Sequence, residues 1–199
     1  MSASKATSLR LSPVQARASE RLETLLDAAA ELIDRAGYDT LTTQTVADQA
    51  GTSIGTVYRY FPDRLSILRA LAERNAARLR GRADAQLAGR ATAAELLAGL
   101  QRALIDAYRE EPGFRRLKSG SQIGFGGGER LPGLREVLTG SIDASALAAT
   151  LLPDTAVGVL VALTEAAFED TTQGDAALLD AGLALSRQAV TGVDGVSRG

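Results

Sequence analysis

The 199-residue sequence contains no cysteine and no histidine. The first absence excludes disulfides and thiolate nucleophiles. The second removes imidazole bases and, in a chain without cysteine, nearly every zinc site. Catalysis would have to rest on carboxylates, hydroxyls, lysine or arginine. The adjacent pairs Glu110-Glu111 and Glu169-Asp170 diverge on a helix and form no acid–base dyad. The sequence therefore reads as a non-enzyme, with no catalytic residue, no metal ligand and no cofactor. Long apolar runs are missing too: none reaches the ~18–20 residues of a membrane span. The N-terminus also lacks the apolar stretch of a signal peptide. A soluble, cytoplasmic protein with no membrane partner is expected.

Tryptophan is absent, and aromatic residues number only four tyrosines and four phenylalanines. Prolines number five, and β-branched clusters are scarce, so sheet has little support. Much of the 45% apolar content is alanine and leucine, which favours helix. The expected fold class is all-α. Acid is scarce at one end: residues 1–90 carry 13 Lys/Arg against 10 Asp/Glu, a net +3, while residues 91–199 carry 9 against 14, a net −5. Lys5, Arg10 and Arg17 precede the first acid. This basic arm is either a solvated tail or one end of a surface that meets a polyanion.

Against that thin background, the helical period is clear. Leu22, Leu25, Leu26, Ala29, Leu32 and Ile33 recur as the buried stripe of an amphipathic helix over residues 20–36. Gly37 ends it. Thr42 is a good N-cap for a short helix over 43–50, and Ser53, after Gly51, caps another over 54–61. Two short helices joined by a tight turn make a helix-turn-helix. Pro62 stops the second, and Asp63 caps a long helix that continues the apolar stripe through Leu68 and Leu71. The segment Ser53 to Arg64, SIGTVYRYFPDR, then poses a problem. Tyr58 and Tyr60, two residues apart, cannot both point into the core of a short helix.

The stretch from Arg21 to Leu71 resembles the DNA-binding domain of TetR-type (tetracycline-repressor-like) transcriptional regulators. The likeness rests on the Gly-Tyr after the first helix, Val-Ala-x-x-Ala-Gly in the second, and Gly-Thr-x-Tyr-x-Tyr-Phe-Pro after the turn. It implies an N-terminal three-helix DNA-binding domain joined by a long helix to a C-terminal helical domain for ligand binding and dimerisation. It also implies a homodimer on a double-stranded DNA operator, most often a repressor released by a small-molecule effector. A ligand-independent DNA-binding regulator, or a helical interaction protein, is the alternative.

On that reading Ser53, Ile54, Gly55 and Thr56 meet the floor of the major groove, and Tyr58 meets bases or sugars. Tyr60, Thr42, Thr43 and Arg64 meet phosphates or flank them. Gln44 stands where arginine is common and keeps a bidentate adenine contact open to it; Ile54 stands where polar or basic residues are common, and Arg64 where lysine is usual. Arg59 either touches DNA or pairs with Glu31. Val46, Val57, Leu41 and Phe61 are core.

The second half carries further expectations. Val157, Leu160, Val161, Leu178, Leu179 and Leu183 either form a four-helix dimer interface or pack within one subunit. Tyr108, Phe114, Phe125 and Phe168 either line an effector pocket or fill the core. Arg102 and Glu165 either read a polar group of that effector or face water. The glycine-rich stretch 119–128 is expected to be a loop, and 131–151 an interrupted helix. The resulting division is a flexible basic arm at 1–18, a helix-turn-helix domain at 19–64, an effector-binding and dimerisation domain at 65–192 and a disordered tail at 193–199.

Overall fold

The computed structural model describes residues 13–117, 133–143, 152–169 and 171–196. Every regular element among them is helical: α1 (Pro13–Ala36), a 3-10 turn (Tyr38–Thr40), α2 (Thr43–Gln49), α3 (Ile54–Tyr60), α4 (Arg64–Leu87), α5 (Ala93–Glu110), α6 (Phe114–Leu117), α7 (Leu134–Asp143), α8 (Asp154–Ala167) and α9 (Ala176–Val196). No helix of the described residues is long and apolar enough to cross a membrane. Phe125 and the glycine-rich stretch lie outside the described residues.

Helix α1 begins at Pro13 rather than Glu20, so residues 13–18, expected within a flexible arm, are helical. Proline suits a first helical position, where its missing N–H has no intrahelical acceptor to lose. The residues Gln15 to Ala18 that follow have good helix propensity. At the other end α9 continues to Val196, through residues 193–196 of the expected tail.

Two hydrophobic cores form among the described residues. The first gathers Leu25, Ala29 and Ile33 of α1, Val46 and Ala47 of α2, Val57 of α3, and Leu68 and Leu71 of α4. The second gathers the far end of α4 with α5, α7, α8 and α9. Helix α6 belongs to both: Phe114 lies in the second core and Leu117 in the first. Each such side chain, fully buried, contributes about 1.5–3 kcal/mol. Gly113 makes this seating possible. Its φ is +71°, and a Cβ there would stand 2.8 Å from the Ala30 carbonyl oxygen of α1. Its N–H donates to Asp34 Oδ1 at 3.2 Å, and Arg116 Nε donates to the Asp34 carbonyl at 3.0 Å.

A row of arginines at i, i+4 and i+8 on α4 makes a second link between the cores. Arg74 binds Asp27 at 2.7 Å and Glu23 at 3.3 Å. Arg78 binds Glu23 at 3.3 Å and Glu111 at 2.7 Å. Arg82 binds Glu111 and Glu110, both at 2.8 Å. Glu23 and Asp27 belong to α1, while Glu110 and Glu111 close α5.

Of the six residues read as either dimer interface or intra-subunit core, four take the second place. Val157, Leu160, Val161 and Leu179 are buried in the chain's own second core, and Leu178 and Leu183 pack half-buried against it. Helices α8 and α9 turn these faces inward because the second core needs their apolar surface. The apolar side chains they leave exposed are Ala162 and Ala166 on α8 and Ala176, Ala177, Ala184 and Leu185 on α9, with Asp180, Arg187 and Gln188 exposed beside the last.

Candidate nucleic-acid interface

The geometry of the site starts with its caps. The Thr42 hydroxyl accepts from the Thr45 N–H at 3.0 Å, and the Thr45 hydroxyl accepts from the Thr42 N–H at 2.9 Å. This reciprocal pair fixes where α2 begins. Gly51 turns the chain with φ +61°, and the Thr52 N–H closes the turn on the Ala47 carbonyl at 3.0 Å. Ser53 then caps α3, its hydroxyl accepting from the Thr56 N–H at 3.2 Å. Ala47 is wholly buried, and its small side chain lets α2 and α3 approach closely.

The structure answers the question raised by the two tyrosines. Tyr58 is 54% exposed, while Tyr60 is half-buried and packs against the first core. Thr43 Oγ1 donates to Tyr58 Oη at 3.4 Å, joining the start of α2 to the outer face of α3. Gln44 is exposed, its amide donating to Asp48 Oδ1 at 2.8 Å. Thr42, Ser53, Gly55 and Arg59 are exposed, and Thr43, Ile54 and Thr56 are half-buried. A Cβ at Gly55 would meet only Ser53 Oγ, at 3.9 Å. Nothing in the chain itself therefore demands glycine there.

The structure removes one of the two readings of Arg59 and gives Arg64 a partner within the chain. Arg59 does not pair with Glu31, whose carboxylate accepts from Gln49 Nε2 at 2.8 Å. Gln49 in turn accepts from Arg35 at 3.2 Å. Arg64, expected to hold a phosphate, donates from Nη2 to the Tyr38 carbonyl at 2.6 Å and faces Asp39 at 3.7 Å. The 3-10 turn presents that carbonyl to the start of α4, so Arg64 ties α4 to the α1–α2 connection.

The sequence put Arg17 in a basic arm and left Arg21 unremarked, but both belong to the first turns of α1. Arg17 and Arg21 of α1 line an open groove of about 330 Å³ together with Thr52, Thr56, Arg59 and Tyr60. Their spacing of four residues was the available signal, since it places both on one face of a helix.

In the second core the aromatic rings fill space instead of lining it. Tyr108 meets Phe114 edge-on at 5.2 Å and stacks on Phe168 at 4.7 Å. The Gly174 backbone closes over Phe168, where a Cβ would stand 2.7 Å from the ring. The Arg109 guanidinium lies 6.0 Å from the centroid of the same ring. The Tyr108 hydroxyl is buried without a hydrogen-bond partner. Burial, with the Glu165 carboxylate adding to it, pushes that phenol above its ordinary value of 10. Arg102 is exposed on α5, apart from these buried rings, and Glu165 is half-buried.

Comparisons with known proteins agree with this geometry. Residues 25–71 match the family model described as bacterial regulatory proteins, tetR family. The chain is 33% identical over 73 residues to the HTH-type transcriptional repressor KstR of Mycobacterium tuberculosis, covering 37% of this chain and 33% of that one. It is 30% identical over 107 residues to the nucleoid occlusion factor SlmA of Actinobacillus pleuropneumoniae, 53% of each chain. The matches thus span about a third to a half of these curated relatives. A TetR-family transcriptional regulator from Streptomyces coelicolor superposes with a TM-score of 0.69 at 29% identity, over 86% of this chain and 96% of that one.

Proposed function

We propose, for a chain whose N-terminal domain is that of the TetR family of bacterial regulators, that it binds a DNA operator as a homodimer and represses transcription until an effector releases it. The observation that carries the DNA reading is the outer face of α3. Tyr58 stands exposed there, braced by Thr43, beside an Arg59 that has no ion-pair partner among the described residues, and Gly55 leaves room that those residues do not use. A recognition helix needs this combination: a base-reading side chain held in place, and a backbone free to approach the groove floor.

Selection of duplexes from a random-sequence library by the purified protein, followed by titration at fixed salt, tests this directly. The selected duplex should bind at least about a thousandfold more tightly than a mixed-sequence one. Equal affinity for both would remove sequence-specific regulation.

Dimerisation falls to the outer faces of α8 and α9, where Ala162, Ala166 and Ala184 permit close approach and Leu185 supplies an exposed apolar contact. Leu185→Glu should shift the sedimentation of the protein from dimer to monomer. Effector control falls to the second core, whose contacts reach the DNA-binding domain through α6 and the arginine row of α4. A regulator without an effector is the second reading, favoured by the filled state of the Tyr108, Phe114 and Phe168 cluster. Operator affinity that no small apolar molecule changes would support it.

A further inference from the structure

The groove between α1 and α3 has a property that distinguishes it from the rest of the charged surface. Its three arginines, Arg17, Arg21 and Arg59, are all exposed, and no carboxylate lines it. None of the three has an ion-pair or hydrogen-bond partner among the described residues. Arg74, Arg78 and Arg82, by contrast, are each held by acids. Guanidinium groups gathered in one place without counter-charge repel one another, so the arrangement suits an anion from outside. The Thr52 and Thr56 side chains add hydroxyls at the same place.

We propose that this groove is a phosphodiester-binding site, in which Arg17 and Arg21 hold the backbone of the DNA strand running past the recognition helix. The proposal rests on the DNA reading above and extends it. Arg17 and Arg21 precede the segment 25–71 that matches the family model. The groove shares Thr56, Arg59 and Tyr60 with α3. A strand seated against α3 presents a phosphate every ~3.4 Å of helix axis, and successive phosphates then pass within reach of both helices. Arginine suits this work because its planar fork matches two phosphate oxygens. Such contacts fix position on the duplex and add affinity without reading sequence.

The test compares wild type with the R17A/R21A double variant on two probes, a mixed-sequence duplex and the duplex selected by wild type, across a salt series. The double variant should flatten the plot of log affinity against log salt by about two per bound chain, and so lose about a tenfold share of the salt response between 50 and 200 mM. Affinity for both duplexes should fall together, leaving their ratio unchanged, and R17K/R21K should restore most of the slope. An unchanged slope in R17A/R21A, with circular dichroism showing the helices intact, overturns the groove proposal while leaving operator binding standing. A changed ratio between the probes also overturns it, because the arginines would then be reading bases. A wild type that binds neither duplex refutes the DNA reading itself. Loss of affinity for inorganic pyrophosphate in R17A/R21A with DNA binding untouched would assign the groove to a small anion and overturn the proposal.

Discussion

The Arg78 guanidinium donates to the Glu111 carboxylate at 2.7 Å, and with its other nitrogen it reaches Glu23 at 3.3 Å. One side chain thereby joins α1 of the first core to the end of α5. Burial by itself would raise the Glu111 carboxyl, but hydrogen bonds from Arg82 and Arg78, with their charges, outweigh it and hold the group below its ordinary value of 4.5.

Because its folded value is depressed, Glu111 stabilises the fold fully above its unfolded value, and the contribution disappears as pH falls through the folded one. Glu111→Gln should cost about 1–3 kcal/mol at neutral pH, by leaving two arginines short of their charged partner. It should also shrink the fall in stability as pH drops below about 4.5. Urea denaturation at neutral and acid pH measures both effects.

Gly113 makes the α6 linkage possible. A methyl group at this position is strained by φ +71° and meets the Ala30 carbonyl oxygen at 2.8 Å. Gly113→Ala should destabilise the protein by about 1–3 kcal/mol. If α6 transmits the state of the second core, the variant should also uncouple operator affinity from effector, measured on the selected duplex.

Gly55 should behave in the opposite way. The chain has room for a methyl group there, and alanine is favoured over glycine in a helix by up to about 1 kcal/mol. Gly55→Ala should hold or raise the melting temperature while weakening operator binding, since the added methyl stands between α3 and the groove floor. Stability and affinity moving down together would show that the glycine serves the fold instead.

Tyr58→Ala removes an exposed ring and should leave stability within about 0.5 kcal/mol. It should cost about 1–3 kcal/mol of discrimination between the selected and mixed-sequence duplexes. Titrating both duplexes separates this from a uniform loss of affinity.

Tyr108→Phe deletes a hydroxyl that is buried without a partner. Removing such a group should be neutral or stabilising by about 1 kcal/mol. If an effector's polar group binds in this core, the same variant should keep operator affinity and lose the response to that effector.

How much was written in the sequence differs between the two halves. The caps Thr42, Ser53 and Asp63, the turn at Gly51 and the stripe through Leu25, Ala29 and Ile33 are local devices. Each is set by a few neighbouring residues, so sequence alone located α2, α3 and the start of α4 within a residue or so. The same local logic said that Tyr58 and Tyr60 could not both be buried, and packing decided that Tyr58 is the exposed one.

Tertiary packing decided what local pattern leaves open. Val157, Leu160 and Val161 belong to an apolar helix with more than one face available, and only the positions of α5, α7 and α9 determine which face turns inward. Arg64 was assigned from its place at the start of α4, but the Tyr38 carbonyl that claims it is 26 residues away. Arg17 and Arg21 became a groove only when folding set the first turns of α1 against α3. Periodicity and caps fix which segments are helices, because those forces act over one or two turns. The partner each face and each charge receives is fixed by contacts between residues distant in the chain, which form only when all the helices pack together.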